Sequence, residues 1–98
     1  MAEINWTREA EQWLHDIHDY IALDKPTTAQ KTVEAIYEHA QLLQNFPLLG
    51  YRYLKRQDKQ IRVLLYGHYR IAYVIKEDDG IDILGVFHGS LDIERFLL

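Results

Sequence analysis

The chain contains no cysteine, which excludes disulfides, thiolate catalysis and cysteine-ligated zinc. Glycine is sparse, and no glycine-rich loop precedes a helical stretch, so a phosphate-cradling nucleotide loop is excluded too. No apolar run approaches the roughly 20 residues of a membrane-spanning helix. Met1-Ala2-Glu3-Ile4-Asn5-Trp6 shows no basic region followed by an apolar one. The protein is therefore expected to be soluble and cytoplasmic. No spacing of Ser, His and Asp signals nucleophilic hydrolysis. His15 and His18 share one side of a helical stretch, but they lack a third ligand at a defined spacing, so no metal is expected, and no cofactor. Repeats, linkers and low-complexity segments are absent as well, and residues 1–98 are expected to form one domain.

What is present is a core-forming composition, 48% hydrophobic, arranged in clear periodicities. The centre is Gln60 to Lys76, QIRVLLYGHYRIAYVIK. Ile61, Val63 and Leu65 alternate with Arg62, Leu64 and Tyr66; past Gly67-His68, Ile71, Tyr73 and Ile75 alternate with Arg70, Ala72 and Val74. Alternating β-branched and aromatic residues fit a pleated, half-buried surface, and a glycine supplies the positive φ of a tight turn. Ile81 to Phe87 follows the acidic turn Glu77-Asp78-Asp79-Gly80 as a third strand of a meander. A two-residue turn would pair Tyr66 with Tyr69 and Leu65 with Arg70, which sends Arg62 and Arg70 to opposite faces.

Upstream, Ala2 to Trp6 suits an opening strand, and Thr7 an N-cap with Glu9 and Glu11 in the first turns. Helix one should run to about Leu23, burying Ala10, Trp13, Leu14, Ile17, Tyr20 and Ile21. Pro26 breaks the chain and opens helix two, which runs to about Asn45 with Ala29, Val33, Ile36, Ala40 and Leu43 on its apolar face. Phe46-Pro47 ends it, Gly50 marks a turn, and Tyr51 to Arg56 suits a further strand; Asp92 to Leu98 suits a short helical turn or an irregular end. The expected class is α+β. An N-terminal strand and an antiparallel two-helix hairpin pack on a twisted, mainly antiparallel sheet of three to four further strands, whose second face stays open.

Charge is unevenly placed. Residues 1–50 carry three Lys/Arg against eight Asp/Glu, residues 51–76 seven against one, and residues 77–98 one against six. The basic centre suits either a partner-binding face on an acidic body or a strand edge protected against aggregation by Lys and Arg. Arg62 and Arg70 fit the second account poorly. An arginine between apolar strand neighbours needs a partner, either a carboxylate of the helices or an incoming phosphate or carboxylate. With His68, Tyr69 and His88 nearby, a phosphate could be held by arginine while a histidine moves protons; a structural polar cluster would look the same.

The runs Tyr69-Arg70-Ile71-Ala72-Tyr73-Val74-Ile75 and Ile83-Leu84-Gly85-Val86-Phe87-His88-Gly89 resemble the RelE/ParE superfamily of bacterial type II toxins. The segments Ile17 to Ala29 and Leu42 to Gly50 are similar to its ParE branch. The resemblance implies a toxin held inactive by a cognate antitoxin, whose C-terminal segment wraps the toxin. It also implies one of two activities, poisoning of DNA gyrase in the ParE manner or cleavage of ribosome-bound mRNA in the RelE manner. A degenerate member that mainly binds its antitoxin is a third reading. Whether the chain is an enzyme stays open. In the endoribonuclease case, Arg62 or Arg70 would hold phosphate and His88 would transfer a proton. Leu91 stands where many relatives carry arginine, and no tyrosine follows His88; both departures weigh against cleavage. Arg52, Arg56, Arg62 and Arg70 are the expected contacts to antitoxin or target. The expectation is a ParE-like gyrase poison.

Overall fold

The computed structural model describes residues 2–56 and 59–89. Strand β1 (Ile4–Trp6) leads into helices α1 (Arg8–Ala22) and α2 (Pro26–Gln41). A 3-10 turn (Leu42–Gln44) follows, then strands β2 (Tyr51–Arg56), β3 (Lys59–Tyr66), β4 (Tyr69–Ile75) and β5 (Ile81–His88). The sheet order is β1-β5-β4-β3-β2; β1 runs parallel to β5 and every other pair is antiparallel. This is the expected α+β class, with the opening strand placed at one sheet edge and β2 at the other.

Local chemistry explains the helix boundaries. The Thr7 hydroxyl accepts from the Ala10 N–H at 3.1 Å and donates to the Ile83 carbonyl at 2.7 Å. One side chain thus caps α1 and ties it to β5. Thr7→Ala should cost about 1–2 kcal/mol, as N-cap removals do, and Thr7→Ser should restore most of it; urea denaturation midpoints of the three proteins check this. Pro26 occupies the first turn of α2, where no side chain makes a cap hydrogen bond.

The helices cover one sheet face. Ala10, Ile36, Ala40 and Leu43 are buried against Leu64, Ile71, Tyr73, Ile81, Ile83 and Val86. The α2 stripe matches its periodicity, but on α1 Tyr20 is exposed. The expectation that the second sheet face stays open is corrected. Ile61, Val63, Ala72 and Phe87 form a buried cluster there, with Tyr53, Leu84 and Trp13 packed against it. Two register shifts help build it. Ala72 pairs with Gly85 while Tyr73 pairs with Ile83, so Leu84 is an extra residue in β5. Arg52 pairs with Arg62 while Leu54 pairs with Ile61, so Tyr53 is an extra residue in β2. Both inserted residues join the second cluster. Because β1 pairs only with Ile81–Ile83, α1 can reach the rest of β5, and Trp13 meets Phe87 edge-on at 4.7 Å.

Candidate functional site

The β3–β4 hairpin sets the geometry of every candidate cation. Tyr66 pairs with Tyr69 and Leu65 with Arg70, the register of a two-residue turn. Gly67 takes φ +57° there, which side chains rarely tolerate. Arg62 lies directly opposite Tyr73. By alternation Arg62 shares the helix-covered face with Tyr73, and Arg70 projects from the other.

Arg62 is engaged by the main chain. Its Nε donates to the Gly50 carbonyl at 3.0 Å and its Nη2 to the Leu48 carbonyl at 3.2 Å. The neighbouring Tyr73 hydroxyl, on a fully buried side chain, donates to the Pro47 carbonyl at 2.7 Å and accepts from the Gly50 N–H at 3.0 Å. Two side chains from adjacent strands thus pin the Pro47–Gly50 segment at four backbone atoms. The expectation of a carboxylate or phosphate partner is replaced here by main-chain carbonyls. Sequence reasoning marked Gly50 only as a turn and did not find the Tyr73 hydroxyl. A tyrosine directly opposite an arginine on the core face was the available signal.

A second constellation sits at the hairpin end. His68, Tyr69, Arg70 and His88 line a cleft of about 490 Å³. The His68 and His88 rings lie nearly parallel with centroids 6.1 Å apart, and Tyr69 meets His88 edge-on at 5.8 Å. The Gly89 N–H donates to the His68 carbonyl, and Arg70 Nη2 donates to the Gly89 carbonyl at 3.3 Å. Burial pushes the Tyr69 phenol above its ordinary value. The structure therefore brings Arg70 and His88 together at one cleft and places Arg62 elsewhere. Leu91 falls outside the described residues.

The basic stretch is not one patch. Lys76 pairs with Asp82 at 3.4 Å, Arg62 holds the loop, and Arg52 is exposed on β2. Arg56 pairs with Lys59 at the end of the sheet away from the Gly67-His68 turn; its side chain lies outside the described residues. The span of β3 at about 3.4 Å per residue puts more than about 20 Å between that end and Arg70. His15 and His18 each engage Asp19, at 3.1 and 3.2 Å. Among the described residues no group of three or more His, Asp or Glu side chains could hold a metal ion, and no helix is long and apolar enough to cross a membrane.

Exposed apolar side chains form the remaining feature. Phe46, Leu48, Leu49 and Tyr51 all face solvent along the segment that Arg62 and Tyr73 hold.

Comparison with known proteins places this architecture. No curated protein matches the sequence. Among solved structures, the chain is similar to one described as the chromosomal ParDE toxin–antitoxin system from P. aeruginosa. Identity is 25%, the TM-score is 0.76, and the match covers 90% of this chain and 96% of that one. It is also similar to a chain in the RelBE2 toxin–antitoxin complex from Mycobacterium tuberculosis, at 25% identity and a TM-score of 0.63, covering 89% and 96%. The family model for the ParE toxin of the type II toxin–antitoxin system, parDE, matches residues 4–93. With that match spanning nearly all of the described strands and helices, the chain belongs to the ParE toxin family, within the RelE/ParE superfamily.

Proposed function

We propose that this toxin inhibits growth by poisoning DNA gyrase through protein contact. In this reading residues 1–98 form one cytoplasmic toxin domain that a cognate antitoxin neutralises. The observation that carries the reading is the separation of Arg62 from Arg70. Cleavage of RNA needs cations gathered around one phosphate, and here the hairpin register sends these two to opposite faces while Arg62 is committed to carbonyls. The ParE family match points the same way. An antitoxin partner is supported by the two similar structures, both described as toxin–antitoxin assemblies. Arg52, exposed on the β2 edge, is then a contact available to it.

One observation favours a second reading. Arg70, His68 and His88 meet at the hairpin cleft, which could hold a phosphate and move a proton without Arg62. Inducing the chain without antitoxin, then measuring gyrase-dependent DNA breaks and mapping mRNA ends in the same culture, separates the two. The expected result is gyrase-dependent breaks with intact mRNA. Cuts in ribosome-bound mRNA without breaks would replace the gyrase reading with endoribonuclease activity.

A further inference from the structure

We infer that the Phe46–Tyr51 segment is a preformed docking platform for the topoisomerase target, and that it takes a target segment carrying apolar side chains beside Lys or Arg. The inference rests on the gyrase reading for the identity of the target and on this chain's geometry for the place. Phe46 and Leu48 are 59% and 69% exposed, with Leu49 and Tyr51 beside them. Four exposed apolar side chains within six residues are more than scattered surface hydrophobics, and clustered exposed apolar groups mark interaction sites. What distinguishes this group is how it is held.

The loop backbone is fixed by side chains of the sheet beneath it. Tyr73 bonds Pro47 and Gly50, and Arg62 bonds Leu48 and Gly50. The Phe46 N–H donates to the Leu42 carbonyl and the Leu49 N–H to the Phe46 carbonyl, both at 3.0 Å. A fully buried tyrosine and a strand arginine are thus used to keep apolar side chains in water. That arrangement lowers the ordering cost of binding, since the platform needs no reorganisation when a partner arrives.

Charge selects the occupant. Pro47 and Leu48 also form one wall of a cleft of about 770 Å³ that Glu3, Asp78 and Asp79 line. An acidic segment would meet like charge there, and a second copy of this chain docked symmetrically would oppose its own carboxylates. A segment with Lys or Arg next to its apolar anchors is complementary on both counts. The acidic side of the platform is its Pro47–Leu48 end; Arg62 lies against the loop carbonyls, and at the far end Tyr51 is followed by the exposed Arg52.

The test uses the full chain with purified DNA gyrase and supercoiled plasmid, reading the toxin concentration that gives half-maximal DNA breakage. Phe46→Ser combined with Leu48→Ser should raise it about tenfold or more, as loss of two apolar anchors does, with an unchanged circular-dichroism spectrum. Tyr73→Phe keeps the side chains but releases their support. It should also raise the concentration, and it should speed hydrogen exchange at the Leu48–Gly50 amides. Glu3→Lys should weaken breakage, more so at low salt. If wild type gives no breaks, the gyrase reading fails and this inference goes with it. If wild type breaks DNA and the double variant does so equally well, the platform alone is refuted. Stronger breakage by Glu3→Lys would mean an acidic occupant. A wild-type dimer that becomes monomeric in the double variant would mean a second copy. Either result overturns the proposal.

Discussion

Gly50→Ala should destabilise the protein by about 2–4 kcal/mol and release the platform loop. A Cβ at this position would lie 2.7 Å from Tyr73 Cε1, 2.7 Å from the Val63 carbonyl oxygen and 2.8 Å from the Tyr73 hydroxyl. Neither neighbour can step aside, since one is strand backbone and the other a fully buried ring. Overpacking of this kind costs about 1–3 kcal/mol. Displacing Tyr73 also breaks its bonds to Gly50 and Pro47, and each buried group left unsatisfied adds about 1 kcal/mol or more. Urea denaturation gives the stability. Hydrogen exchange at residues 47–50 gives the loop, which should open well below the global unfolding limit in the variant and not in wild type. An unshifted midpoint would mean that the loop yields and the four bonds carry little.

Phe87→Ala should cost about 3–5 kcal/mol, the range for removing a buried aromatic ring. Phe87 is 1% exposed and lies in the second cluster with Ile61, Val63 and Ala72. Its ring fills the space that Gly85 leaves empty, for a Cβ on Gly85 would sit 2.5 Å from Phe87 Cζ. Trp13 reaches it from α1, so the deletion should also loosen the attachment of α1 to β5. Thermal unfolding followed by tryptophan fluorescence checks both effects. Phe87→Leu should recover a substantial part of the loss. A penalty under about 1 kcal/mol would show that the second face contributes little to holding the sheet.

Much of this architecture is readable from residue pattern because it is local. Gly67-His68 fixes the hairpin register, and with it the opposite placement of Arg62 and Arg70. Thr7 and Pro26 mark helix starts; of the α2 stripe Ala29, Ile36 and Ala40 are buried, Val33 is half-buried, and the helix gives way after Gln41 to a 3-10 turn that buries Leu43. What is not readable depends on distant backbone. A carbonyl is carried by every residue, so nothing in the sequence singles out those of Leu48 and Gly50 as the partners of Arg62. The second face is expected to be open because two helices can cover only one side of a sheet; the inserted residues Tyr53 and Leu84 and the reach of Trp13 to Phe87 are what that layer count leaves out. A glycine at position 85 inside a strand is a signal of such a bulge. Tyr20 continues the α1 periodicity but has no core neighbour to bury it. The hairpin cleft is legible in part: the sequence offers its residues as candidates, and the structure sorts Arg70 and His88 into it and Arg62 out.

The pairing of β1 with β5 has a temporal side. Ile4 finds its neighbour at Ile81, and Trp6 at Ile83. A nascent chain emerging N-terminus first must leave β1 unmatched until β5, more than 70 residues later, has been made. At about 5–20 residues per second, that wait lasts several seconds. Sheet completion is thus deferred until β5 has been made, and no shorter nascent segment can present the five-stranded sheet.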